Sequence, residues 1–439
     1  MRNCFLIKIV YCALFVAFSS SYSQEVLTIE NAIKIALENN FEIKIASNNY
    51  NIAKTNSVIG NAGMLPTLTA SVAANNRVQN STLTLQNGVV NALDNALNNS
   101  LNYGVSLDWT VFNGFKMFTR LEQLKELEKL GSTQLQQTII SKLSEVSSTY
   151  FNLVQQQQQL KALDSTLVIS NQRLALAQNR FAIGKASKLE VLNAQVDLNT
   201  DNVVLLKQQE VFQNTKTLLN KILARDLQTP FNVIDKIKVD ENLKLTELSN
   251  LVEKQNPQLV GLLLSKNVAE LQLKQIKGDR YPVITLNSGY VFSETQASLG
   301  FAAATSARGF NYGFNAALNL FNGWNQNRNE KIAKIMLDNS KLTLNLQKLE
   351  LQAQLNAAYQ TYLTNNQLVV IENKNEIYAK QNLDITLDKF KIGTITTLEF
   401  RTAQLNYVNA KVRNSNAQFQ AKLSEIVLKE LAGIIDLDN

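Results

Sequence analysis

Asn102-Tyr103-Gly104-Val105-Ser106-Leu107-Asp108-Trp109-Thr110-Val111-Phe112-Asn113-Gly114 is the stretch on which the fold turns. Tyr103, Val105, Leu107, Trp109 and Val111 alternate with Asn102, Gly104, Ser106, Asp108 and Thr110, which predicts an extended strand with one apolar face. Much of it returns 209 positions later, as Asn311-Tyr312-Gly313 and Phe321-Asn322-Gly323, with Phe314, Ala316, Leu318 and Leu320 alternating between them. Further on, Phe181-x-Ile183-Gly184 returns as Phe390-x-Ile392-Gly393, Leu189-Glu190 as Leu398-Glu399, and Ala194-Gln195 as Ala403-Gln404. Upstream, Leu65-Pro66 matches Tyr281-Pro282 at a spacing of 216. The chain is therefore two copies of one supersecondary unit.

Each alternating run of about eleven residues has the length of a tilted strand crossing a bilayer. A weaker partner strand opens at each proline: Leu68, Ala70 and Val72 in the first copy, Ile284, Leu286, Tyr290 and Phe292 in the second. The expected strands are about 66–78 and 102–112, then 282–293 and 311–321, joined by long polar loops over 79–101 and 293–310. Alternation alone also fits two soluble hairpins. Trp109, Phe112 and Phe115 in one copy, and Phe321 and Trp324 in the other, cluster at the strand ends and favour a membrane girdle.

After each Phe-Asn-Gly the period becomes helical. Ile139, Leu143, Val146, Tyr150 and Leu153 step by four and three, and no proline interrupts Gly114 to Phe181. Unbroken, such a helix would run roughly 100 Å at 1.5 Å per residue. Gly184 and Gly393 then suit left-handed caps, while Ser187-x-x-Glu190 and Thr396-x-x-Glu399 are capping boxes that open returning helices. Two helical hairpins follow, over about 114–225 and 323–433.

Arg2 and Lys8 before an apolar run, with small residues ahead of Gln24, mark residues 1–23 as a signal peptide. Cys4 and Cys12, the chain's only cysteines, leave with it. Net charge falls from +7 to +5, a mild balance that does not point to nucleic acid. With no histidine in the chain, imidazole-based catalysis and metal binding are excluded. No phosphate-cradling glycine loop is present, so neither an enzyme nor a cofactor is expected. Beyond the signal no apolar stretch could span a bilayer as a helix, so any crossing must use strands. Four strands cannot close a barrel and an open edge is not viable in lipid, so several chains would have to share one.

The opening Leu27-Thr28-Ile29-Glu30-Asn31-Ala32, the Leu-Pro strand entry, the Phe-Asn-Gly exit, and the Phe-x-Ile-Gly tip with its capping box and Ala-Gln together resemble the TolC-like outer-membrane efflux proteins. The resemblance covers nearly the whole mature chain, twice. It implies a mainly α fold with a small β-barrel part, closed as a homotrimer, in which each chain gives four strands to a twelve-stranded barrel and its helices to a periplasmic tunnel. It further implies an outer-membrane location, contact with outer-membrane lipid, and work as an exit duct with a periplasmic adaptor protein and an inner-membrane pump. A periplasmic adaptor and a secreted coiled-coil structural protein are the other readings. Residues 24–225 and 250–439 would be the repeats, and 226–249 a linker in an equatorial belt.

At the tips, Gly184, Ser187, Glu190, Gly393, Thr396, Glu399 and Arg401 are the residues the resemblance implies for the periplasmic entrance. Glu190 and Glu399 have two readings: carboxylates narrowing a cation-attracting pore, or the third residues of their capping boxes. Ile395 stands where the family can have a gating arginine, and Thr402 fills a second acidic position, so only Arg401 could partly replace an arginine latch. Gln155 to Gln159 reads as a solvated helix face, and Tyr150 and Tyr359 as packing residues.

Overall fold

The structure is a computed structural model describing residues 25–300 and 302–434; the signal peptide read over residues 1–23 lies outside the described residues. The described residues form two compact units, one of residues 25–46, 135–257 and 348–434, the other of 47–134, 258–300 and 302–347. Each takes segments from both sequence copies, so the units cut across the duplication.

In the first unit, β1 (Glu25–Leu27) pairs in parallel with β4 (Phe231–Val233). Helix α1 (Ile29–Asn39), which α2 (Phe41–Asn56) follows, packs with parts of α3 (Lys116–Ala182) and α4 (Lys188–Ile222) around Leu27, Ala36, Val146, Tyr150, Leu153, Leu219 and Phe231. The second copy supplies α5 (Leu245–Gln255), the start of α6 (Pro257–Gly278), part of α7 (Asn325–Ile392), and α8 (Thr397–Ala432). No helix among the described residues is long and apolar enough to cross a membrane.

The duplication reaches further than the sequence motifs. Helices α1 and α5 are both eleven residues long and start 216 positions apart. Asn40, after α1, donates through Nδ2 to the Ile222 carbonyl at 2.8 Å, and Asn256, after α5, does the same to Leu431 at 2.9 Å. The Tyr150 hydroxyl donates to the Leu27 carbonyl at 3.0 Å, and that of Tyr359 to Leu243 at 3.3 Å. Each tyrosine thus fastens the residue two before its copy's first helix. Helix α5 starts at Leu245, inside the linker expected over 226–249.

In the second unit β2 (Thr67–Thr84), β3 (Val90–Asn113), β5 (Val283–Ala297) and β6 (Ala304–Ala317) form one antiparallel sheet in the order β2-β3-β5-β6. The two hairpins, one from each copy, join through β3 and β5, leaving β2 and β6 as edges. The long polar loop expected over 79–101 is mostly strand, and that over 293–310 shrinks to residues 298–303. Asn, Ser and Thr blur hydrophobic alternation, but the ladder depends on backbone groups that every one of them carries. The last strand stops at Ala317 rather than near 321, since its partner begins at Val283 and Pro282 has no N–H to extend the ladder.

The two-faced sheet and the helical tips

Strand register sorts the sheet's side chains into two faces, because directly opposed residues lie on the same side. On one face Leu68, Leu107, Ser288 and Tyr312 share a row, as do Ala70, Val105, Tyr290 and Phe310, and Val72, Tyr103, Phe292 and Arg308. Trp109, Leu286 and Phe314 continue it. On the other face Thr67, Asp108, Asn287 and Gly313 align, followed by Thr69, Ser106, Gly289 and Asn311, then Ser71, Gly104, Val291 and Gly309. The apolar face runs from Ile284 to Phe292 along β5, about 26 Å of strand, before Glu294, Arg308 and Asn99 end it. Glycine keeps the polar face shallow: a Cβ on Gly104 would sit 2.4 Å from the Tyr290 carbonyl oxygen.

The predicted girdle residues lie where these strands meet their helices. Each Phe-Asn-Gly is a strand-to-helix turn. Asn113 and Asn322 accept hydrogen bonds from Met117 and Gln326 N–H at 3.0 and 3.2 Å, covering the first turns of α3 and α7. Gly114 and Phe115, and likewise Gly323 and Trp324, all take left-handed φ between 64° and 68°. An aromatic there is strained, and each packs edge-on against its own motif's phenylalanine, Phe115 on Phe112 at 5.1 Å and Trp324 on Phe321 at 6.0 Å. Trp109 donates to the Met64 carbonyl at 2.9 Å. A bulge at Val111 ends the alternation one residue early and turns Phe112 to face Ile284. A second aromatic row escaped sequence reading: Tyr103 stacks on Phe292 at 4.8 Å, and Tyr290 meets Phe292 edge-on at 5.2 Å. Its members come from different copies, so no local window contains it.

In the first unit the two helical hairpins turn at Gly184 (φ 74°) and Gly393 (φ 88°). The second tip has a complete capping box: Thr396 N–H donates to the Glu399 carboxylate at 2.8 Å, and Glu399 N–H to the Thr396 hydroxyl at 3.2 Å. Those Thr396 bonds, backbone first, hold the Glu399 carboxyl below its ordinary pKa. The first tip makes half a box. Glu190 N–H donates to the Ser187 hydroxyl at 3.3 Å, while its carboxylate turns toward Arg180 at 3.6 Å.

Arg401, expected at the entrance, is buried within the chain. Its guanidinium holds Asp201 in two hydrogen bonds of 2.8 Å and lies 3.7 Å from Asp197. Burial works against its charge, but Asp201 and Asp197 raise its pKa above the ordinary value. Asp201 accepts from the Ser170 hydroxyl, which in turn accepts from Gln404 at 2.8 Å, and Asp197 pairs with Arg173. Helix α8 of the second copy is thereby tied to α3 and α4 of the first. At the repeat spacing Leu192 stands for Arg401 and Ala410 for Asp201, so the copies diverged where they meet. Ile395 packs beside Leu383, Phe390 and stacked Phe400 instead of entering the network. The polar run also departs from expectation, since Gln155 and Gln156 are buried and Gln156 donates to Thr215 at 3.0 Å across the hairpin.

A family model described as outer membrane efflux protein matches residues 32–225 and 248–434. The outer membrane protein TolC of Vibrio cholerae is 21% identical over 296 residues, 66% of this chain and 67% of that one. TolC of Escherichia coli is 20% identical over 311 residues, and the chain spans 62% of its length. Among solved structures, the Campylobacter jejuni CmeC outer membrane channel superposes with a TM-score of 0.78 at 17% identity, covering 92% of this chain and 85% of that one. The outer-membrane channel OprN gives 0.77 at 16% identity, over 92% and 89%. At such identities these structures establish a common fold.

Proposed function

The chain belongs to the outer membrane efflux protein family, and on that premise we propose that it is a passive exit duct assembled from three copies. The observation that carries this reading is the two-faced sheet with free edges at β2 and β6. One sheet face suits lipid and the other water, as a barrel wall requires. Alternating strand directions let β6 of one copy meet β2 of the next antiparallel, and twelve strands then close without an edge. Trp109, Phe112, Phe115, Phe321 and Trp324 would sit at the inner headgroup level, and Tyr103, Tyr290 and Phe292 at the outer one.

The tips at Gly184 and Gly393 would form the periplasmic entrance, where an adaptor engages and an inner-membrane pump supplies the energy. Glu399 is first a helix cap, given its full box, whereas Glu190 has a carboxylate free enough to pair with Arg180. We assign no catalytic role to any residue. The family assignment selects this reading over a periplasmic adaptor or a secreted coiled-coil protein.

The test is extraction from outer membranes, a measurement of oligomeric mass, and reconstitution in planar bilayers. A trimer that conducts is expected; a lipid-indifferent monomer would overturn the reading. Replacing Glu190 with Gln should lower cation preference with assembly intact, and an unchanged selectivity would leave its carboxylate only the pairing with Arg180.

A further inference from the structure

β2 and β3 outrun the rest of the sheet. β3 parts from β5 after Asn98, which faces Ala297, and Leu97 still bonds Ser298, so Val90–Ala96 pairs with β2 alone. Those seven residues make a two-stranded ribbon about 23 Å long on the side of the sheet away from the Phe-Asn-Gly turns. A bulge bends it: Asp94 and Asn95 oppose Asn80, Asn95 takes φ 54°, and its N–H donates to the Asn80 side chain at 2.8 Å.

Such a ribbon is marginal by itself in water. It also exposes Val78, Val89, Val90, Leu93 and Leu97. Free strand edges in soluble surroundings are usually guarded by charge, yet from Val78 to Leu97 the only charged residue is Asp94. A near-neutral apolar surface rich in Asn, Ser and Thr can meet an identical copy without repulsion. The ribbon is also the direct continuation of β2, the edge through which copies are proposed to join.

We propose that the Val78–Leu97 ribbons of neighbouring copies pack on one another above the sheet, as a shared cap that narrows the outer mouth of the duct. Their occupant is a second copy of this chain. The inference rests on the barrel reading above, since only a closed ring brings the ribbons together.

Cys4 and Cys12, the only cysteines, lie in the segment read as a signal peptide, so a single Leu93→Cys substitution in the full-length protein can be treated on intact cells with a flexible bis-maleimide. Covalent dimers and trimers should form, several-fold above the level for Ser306→Cys on the sheet's outward face. A second variant, with Gln79–Ala96 replaced by Asn-Gly, should still insert but dissociate into single chains several degrees lower. Conducting trimers with neither the cross-link nor the loss of thermal resistance would overturn the cap and leave the barrel standing. A wild-type chain that is monomeric and does not conduct would sink the barrel reading, and the cap with it.

Discussion

The Arg401 cluster shows what a single residue contributes once it is buried. Two guanidinium bonds to Asp201 hold a charge out of water, and loss of either partner strands the other. Asp201→Asn or Arg401→Leu should cost about 3 to 5 kcal/mol, read as a shift in the denaturant midpoint. Exchanging the two, with Arg401→Asp and Asp201→Arg together, should recover part of that loss. Glu399 offers a pH test. Its folded pKa is lowered by the Thr396 bonds, so its stabilisation is complete above the ordinary carboxylate pKa and is lost as pH falls through the lowered value. Glu399→Ala should therefore melt below the wild type at neutral pH, and the gap should close in acid. Both groups could be named from sequence, but only one role could be read there. Glu399 announced its cap through local spacing, whereas the partner of Arg401 is 200 residues away.

Among the elements, the helices were the most legible and the strands the least. An uninterrupted period of 3.6 with a capped end is local information, so α3, α4, α7 and α8 start and stop close to where the motifs place them. Strand ends depend on a partner's length. β3 runs to Val90 because β2 accompanies it there, and β6 stops at Ala317 because β5 has nothing below Val283 to pair with it. The two Phe-Asn-Gly turns look alike in sequence but differ in surroundings. A Cβ on Gly114 would lie 2.1 Å from the Gly278 carbonyl oxygen, while one on Gly323 would meet nothing nearer than Asn325 at 3.9 Å. Gly114→Ala should sharply reduce the yield of assembled protein in membranes. Gly323→Ala, burdened only by left-handed strain of about 1 kcal/mol, should assemble near normally.

For the whole molecule, the edges of the sheet set the prediction. Even-numbered residues of β2 and β6 lie on the apolar face, so pairing between copies must match even with even to keep lipid and water apart. With Val72→Cys fixed, oxidative cross-linking should succeed with one of Phe310→Cys, Tyr312→Cys or Phe314→Cys. It should fail with Asn311→Cys and Gly313→Cys, and the reverse pattern would exclude an edge-to-edge barrel in this register. The amino-acid sequence by itself determined the duplication, the helical hairpins, their capped tips and the need for strands in any membrane crossing. These follow from periodicity and caps, which act within a few residues. Tertiary structure alone decided that β3 joins β5, that polar stretches extend the strands into a ribbon, and that Arg401 is an internal tie between the two copies. The first and the last need groups from different copies to meet in space, and the ribbon needs two strands of one copy to pair; neither kind of meeting leaves a mark on local sequence.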